Sequence, residues 1–316
     1  MRKKLLTFFA ISCFGFYSVA QTPIATEMTD GKSLIEAYVS PLGNSLGAAL
    51  NNGWYNTAKP HHLGGFDITI TANLVLVPAD AKTFNITESN DGNFTGGNTA
   101  TILGTTGIKN AAFSGSPSED FPMPGGLNIP LLPVPVLQAG VGLIKNTEID
   151  VRFMPEIEMK GVSTGLFGVG VKHDILQWFP IVDKMPVDMS IQAGYTKLSS
   201  TFEMNDPSNT IDPPQASMDV TATTINLLVS KKLLMFTPYL GVGYNSTKTT
   251  FNVDGEYDIA GYEIKAKDLT KIECKNNNNL RANVGFRFQI AVLAIQANYT
   301  FSEYPVATVG LGISIR

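Results

Sequence analysis

Cysteine is nearly absent from this chain, which holds only Cys13 and Cys274. The first lies in MRKKLLTFFAISCFGFYSVA (1–20), where Arg2, Lys3 and Lys4 precede an apolar run from Leu5 to Tyr17 and Ser18-Val19-Ala20 ends in a small-x-small site. This pattern predicts a secretory signal peptide cut before Gln21. A lipoprotein signal with Cys13 lipidated is the rival, though Ala10-Ile11-Ser12 fits a lipobox poorly. Cleavage leaves 316 − 20 = 296 residues and Cys274 alone, which excludes an intramolecular disulfide. Charge is also scarce: Asp, Glu, Lys and Arg make up 16% of the chain, against roughly 25% in soluble domains. The formal charge of −4 excludes a basic field for nucleic acid. Beyond the signal there is no apolar run of about 18 residues, which excludes ordinary helical membrane spans. An exported, weakly charged chain without such spans fits a membrane β-barrel.

What is present is alternation. LRANVGFRFQI (280–290) sets Ala282, Val284, Phe286, Phe288 and Ile290 against Asn283, Gly285, Arg287 and Gln289. GFDITITANLVLV (65–77), EIDVRF (148–153), PVDMSIQAGYTKL (186–198), FTPYLGVGYN (236–245), LAIQANYTF (293–301) and VATVGLGISIR (306–316) follow the same rule. Weaker strands are predicted near 134–143, 163–173 and 217–230, the last with a phase shift between Ala222 and Ile225 that predicts a bulge. A soluble sandwich also alternates. Runs of about ten residues, long enough to cross a bilayer when tilted, favour a barrel. So do aromatics at the ends of the apolar faces, namely Phe66, Phe153, Tyr195, Phe236, Tyr244, Tyr299 and Phe301.

The expected fold is therefore all-β: a transmembrane antiparallel outer-membrane barrel of ten to fourteen strands over 65–316, with a short helical N-terminal segment. Outer loops are expected near 78–132, 204–217 and 254–279, and the hairpin-like TATILG (99–104) leaves twelve or fourteen strands open. Strand parity puts both termini on the short-turn, periplasmic side. Residues 21–64 read as a helical periplasmic cap or a lumen plug. Leu34, Ile35, Tyr38 and Val39, then Leu46, Ala49 and Leu50, have helical spacing interrupted by Pro41 and Gly43, so two short helices are predicted. Leu34, Tyr38, Leu46, Leu50 and Trp54 are the plug candidates. DILQWFPIVDK (174–184) reads as a short interfacial helix, with Trp178 and Phe179 at headgroup level.

Candidate chemistry is thin. His61 and His62 precede the first strand, and His173 adjoins Asp174, which alternation places on the opposite face. No serine stands in a recognisable nucleophile motif, so no catalytic residue is assigned. Gly165, Gly168 and Gly170 match a phosphate loop only loosely, and Asp91 and Asn93 lack calcium-loop spacing, so no cofactor or metal ligand is assigned either. The inward-facing charges are the candidates: Asp67, Glu148, Asp150, Arg152, Asp188, Arg281 and Arg287. They are either structural ion pairs in a filled barrel or the lining of a selective conduit.

LIEAYVSPLGNSLGAALNNGWYNTAKPHHLGGFDITI (34–70), TEIDVRFMPEIE (147–158), GVGVKHDILQWFP (168–180) and VDMSIQAGYTKL (187–198) together resemble a Bacteroidota outer-membrane family classed as a domain of unknown function. The resemblance implies an outer-membrane barrel and supplies no substrate. More distantly, Asn56-Thr57-Ala58 before the first strand looks like the long-chain fatty-acid channel family, which usually has proline where Thr57 stands. The expected function is a non-enzymatic passive channel or transporter for small or hydrophobic molecules. The alternatives are a structural or adhesive surface protein working through its outer loops and, below that, a barrel lipid hydrolase. Expected partners are outer-membrane lipid, the barrel assembly machinery and a small hydrophobic solute.

Overall fold

The computed structural model describes residues 32–89, 94–105, 109–113, 116–159, 162–178, 186–203, 215–254, 256–259, 262–265, 272–276 and 280–315. The proposed signal segment, Asp91, Asn93 and Phe179 lie outside them. Ten long strands form the frame: β1 (Phe66–Leu76), β2 (Leu131–Leu143), β3 (Thr147–Met159), β4 (Val162–Asp174), β5 (Asp188–Glu203), β6 (Gln215–Ser230), β7 (Phe236–Asp254), β8 (Leu280–Ile290), β9 (Leu293–Phe301) and β10 (Val306–Ile315). Each pairs antiparallel with the next, and β10 pairs with β1 from Phe66↔Ile315 to Val75↔Val306. The sheet is thereby closed and has no free edge to satisfy in lipid. This is an all-β transmembrane barrel of outer-membrane type.

Connections at one end are short: 144–146, 231–235 and 291–292. A 3-10 turn at Leu176–Trp178 stands at this end, where an interfacial helix was expected. At the other end run the long segments 77–130, 204–214 and 255–279. The first of these carries small strands that pair only among themselves. Thr83–Asn85 pairs with Asn98–Ala100, and Lys109–Phe113 lies between Phe94–Thr95 and Ser116–Met123. TATILG therefore contributes to a loop sheet and adds nothing to the wall.

The outward face of the wall is apolar over a limited height. On β7 it runs from Phe236 through Leu240 and Val242 to Tyr244, all more than 40% exposed. Above Tyr244 the outward side chains turn ionic: Lys248 pairs with Glu273 at 3.0 Å, and on the neighbouring strands Lys197 pairs with Asp219 at 3.4 Å. The lipid boundary thus lies between Tyr244 and Lys248, and β5–β7 continue past it into water.

In that upper part the inward face becomes apolar. Met218, Val220 and Ala222 of β6 point inward and are buried, while Ile225 and Leu227 below them point outward. The strand pairs without interruption on both sides, so no bulge accompanies the phase shift predicted at 222–225. The apolar residues change faces because their apolar neighbour changes, from lipid outside to a helix inside. The irregularity in this wall falls in β3, between Met154 and Ile157.

That helix is α1 (Lys32–Leu50), one unbroken element where two were predicted. Pro41 removes one helical donor, and close by the backbone N–H of Ile102 donates to the Tyr38 carbonyl at 3.0 Å. Gly43, expected to interrupt the helix, and Gly47 both serve close approach. A Cβ on Gly43 would stand 2.5 Å from Thr249 Oγ1, and one on Gly47 would stand 2.2 Å from Thr247 Cγ2. Leu42, Leu46 and Leu50 pack inside the barrel with Val134, Leu198 and Val220. Burying each such leucine contributes about 1.5–3 kcal/mol.

The helix begins at the long-loop end, where Leu34 packs with Ile86, Phe94 and Met123. Residues 51–64 then descend the lumen to the short-turn end, where Gly64 N–H donates to the Gly142 carbonyl at 3.2 Å. The described chain thus starts at the long-loop end, and the N-terminal residues before Lys32, which the expectation placed on the short-turn side, lie outside the described residues. Lys32 and Ile315 lie at opposite ends, because α1 and the segment after it form an extra crossing that strand parity does not count.

The height of the apolar band generates a prediction. Leu240→Arg, at its centre, destabilises the barrel by about 2–4 kcal/mol. Lys248→Ala, above it, changes stability by about 0.5 kcal/mol or less. Urea unfolding of both variants in lipid vesicles checks the pair, and equal effects would move the boundary.

Candidate functional site

The centre of the interior is the C-terminal end of α1. The last carbonyls of a helix have no intrahelical donors and form the negative end of its dipole. The wall supplies two guanidinium groups instead. Arg152 on β3 donates from Nη1 to the Leu50 carbonyl and from Nη2 to the Asn52 carbonyl, both at 2.7 Å. Arg281 on β8, across the barrel, donates to the Asn51 carbonyl at 2.7 Å and to Asn52 Oδ1 at 3.1 Å. Arg152 also lies 3.6 Å above the ring of Trp54, a cation–π contact. Trp54 in turn fills the space over Gly170 and Gly194, where Cβ atoms would fall within 2.6 Å and 2.4 Å of the indole.

Below this layer the wall continues to bind the descending segment. Arg287 donates to Asn56 Oδ1 at 3.0 Å, and Ser230 Oγ accepts from Ala58 N–H at 3.0 Å. Glu148 holds His61 through both the backbone N–H and Nδ1, each at 2.7 Å, and accepts from Lys172 at 2.6 Å. Gln138 relays between groups: its Oε1 accepts from Arg152 at 2.9 Å, and its Nε2 reaches Asp150 Oδ1 at 3.1 Å and the Trp54 carbonyl at 3.2 Å.

Of the charged residues expected on inward faces, Asp67, Glu148, Asp150, Arg152, Arg281 and Arg287 are buried in the interior. Asp188 is half-buried at the short-turn end of β5, opposite Ser230. Leu34, Leu46, Leu50 and Trp54 are buried, and the half-buried Tyr38 donates its hydroxyl to the Gly125 carbonyl at 2.9 Å. Sequence reasoning passed over Lys172, Gln138 and His61 as site members. Lys172 was legible, since it shares the inward phase opposite Val169 and Val171. His61 was not, because it precedes any strand and its partners are more than 80 residues away.

His61 has one further contact, Nε2 to Ser314 Oγ at 3.1 Å, which completes a Ser–His–Glu order. Hydrolysis needs room for a carbonyl beside the nucleophile. Here Ser314 is 2% exposed, and the nearby cavity, with space of about 10 Å³, reaches Glu148 but neither His61 nor Ser314. At the other candidate position, His173 accepts from Trp178 Nε1 at 3.0 Å and contacts Thr147 at 2.9 Å. Asp174 caps the Leu176 N–H at 2.8 Å, so both residues belong to the turn.

The closed strand cylinder and its outward apolar band define an outer-membrane β-barrel, with a helix threaded through its lumen. Within that class the chain belongs to DUF6588, a family of unknown function whose model matches residues 1–315. No curated protein matches it in sequence. Among solved structures it is similar to the translocator domain of the autotransporter NalP from Neisseria meningitidis, at 10% identity, 92% of this chain, 100% of that one and a TM-score of 0.35. It is also similar to the outer membrane protease OmpT from Escherichia coli, at 10% identity, 84% and 100% coverage and a TM-score of 0.31. The Ralstonia pickettii toluene transporter TbuX follows at 7% identity, 79% and 88% coverage and a TM-score of 0.23.

The helix-end arrangement predicts that Arg152→Met costs about 3 kcal/mol or more, since three hydrogen bonds from a charged donor, to Leu50, Asn52 and Gln138, are lost at about 1.5–3 kcal/mol each and the cavity partly relaxes. Arg152→Lys should recover less than half of this, because one ammonium group cannot bridge two carbonyls and cover a ring as a planar fork does. Urea midpoints of the folded barrels measure both.

Proposed function

We propose that the protein is a closed, non-enzymatic outer-membrane barrel that works through its long-loop end, with α1 as the permanent core holding that end in shape. The carrying observation is the inward face of the upper wall, where Val134, Leu198, Met218 and Val220 are apolar and covered by α1. An aqueous pore at that height would expose them. The first turns of α1 also anchor the loops, through Leu34 against Ile86 and Phe94 and through Tyr38 against Gly125. Long loops face outward in barrels of this class, so the anchored end lies on the cell surface.

Passage of a small or hydrophobic solute is the second reading. One observation favours it: the lower interior is lined by polar and charged groups such as Asp67, Gln138, Lys172 and Gln296, a surface that tolerates water. The resemblance of Asn56-Thr57-Ala58 to the fatty-acid channel family belongs with this reading. Thr57 and Ala58 are tied to Ser230 at 3.2 Å and 3.0 Å, and these bonds would have to break for a solute to pass.

Orientation is checked on intact cells. Protease should cut within 78–132 or 254–279, and an epitope inserted just before Lys32 should be accessible, whereas one after Arg316 should require permeabilisation. Conductance separates the two readings. The full barrel should show no steady current in planar bilayers, and deletion of 33–56 should abolish the folded, heat-modifiable form. A folded deletion variant that conducts would instead establish the channel reading.

A further inference from the structure

Two carboxylate oxygens in the lower interior have no donor. Asp67 Oδ1 and Asp150 Oδ2 make no hydrogen bond, although Asp67 is 6% and Asp150 0% exposed. Leaving such a group desolvated and unpaired is costly. The two residues converge over Gly140: a Cβ there would stand 2.5 Å from Asp67 Oδ1, 2.7 Å from Asp150 Oδ1 and 3.6 Å from Glu148 Oε1. Glycine keeps this space clear of a side chain. Donor atoms of His61, Asp67 and Glu148 also lie within 4.8 Å of one another. A cavity with space of about 10 Å³, the size of one water, adjoins Asp67, Thr69, Gln138, Glu148 and Lys172.

Charge accounting identifies what is missing. Lys172 neutralises Glu148 at 2.6 Å, and Arg152 is committed to the helix end. Asp67 and Asp150 remain, each with one buried oxygen that no donor meets. We propose that Asp67 and Asp150, supported by Glu148, bind one divalent cation of the hard, oxygen-ligated class, Ca²⁺ foremost. Both nitrogens of His61 are engaged, one by Glu148 and one by Ser314, so the ligands are oxygens and a nitrogen-seeking metal is disfavoured. Mg²⁺ demands near-ideal octahedral geometry, whereas Ca²⁺ accepts irregular oxygen shells. The cavity is bounded by Gly53, Trp54 and Asn56 of the descending segment as well as by the wall. The ion therefore staples plug to barrel, whether the barrel is closed for good or opens to a solute.

The test refolds the full mature chain from urea into detergent with CaCl₂, MgCl₂ or EDTA, desalts it and measures bound metal. One Ca²⁺ per barrel is expected, with a higher urea midpoint than the EDTA form. A shift in Trp54 emission is expected in a Trp178→Phe background, which leaves Trp54 as the single tryptophan. Asp67→Asn and Asp150→Asn should each weaken Ca²⁺ binding by at least about tenfold, while Asp219→Asn, outside the cluster, should not. Folded wild-type barrel that retains no Ca²⁺ overturns the proposal, and so does equal retention by the folded Asp67→Asn and Asp150→Asn variants. Retention of Mg²⁺ alone overturns the choice of ion. The wild-type stoichiometry decides even where a variant does not fold, and conductance plays no part in it.

Discussion

A helix that ends inside a lipid-embedded barrel needs donors for its last carbonyls, and the rest of this interior follows from meeting that need. Arg152 and Arg281 reach the end of α1 from opposite walls and bond to Leu50, Asn51 and Asn52. A buried guanidinium needs its own support. Trp54 beneath one of its faces and Gln138 at its Nε supply it for Arg152. Trp54 needs Gly170 and Gly194 to make room, and Gln138 draws in Asp150. Arg152, Arg281, Trp54, Gln138 and Asp150 thus form one supported structure built outward from a helix end.

The wall answers a second constraint, which reverses with height. Within the membrane its outer face is apolar, and its inner face carries the polar network. Above Tyr195 and Tyr244 the outer face carries Lys197–Asp219 and Lys248–Glu273, and the inner face is apolar against α1. The upper barrel is thus organised like a water-soluble one, with the helix as its core. Helix and upper wall are mutually dependent, since each covers apolar surface that the other would leave in water. The same packing carries order from the wall through Leu34 and Tyr38 to the loops at that end.

The sequence by itself determined the strands that face lipid, because lipid acts on each residue singly and leaves a period of two. Leu240, Val284 and Ile313 are legible without knowing any partner. It also determined that Glu148, Asp150, Arg152, Arg281 and Arg287 take the opposite phase. The tertiary structure alone decided what those residues meet. Arg281 binds a carbonyl 230 positions away, and His61 reaches Ser314 across 253. No local spacing encodes such contacts. Gly43 looks like a helix breaker until Thr249 is seen against it. The phase shift in β6 looks like a bulge until the helix supplies an apolar neighbour on the other side. The placement of Lys32 opposite Ile315 was also beyond strand parity, which counts crossings through the wall. A segment passing through the lumen is invisible to that count, because its neighbours are side chains from every part of the barrel, which the fold alone brings together.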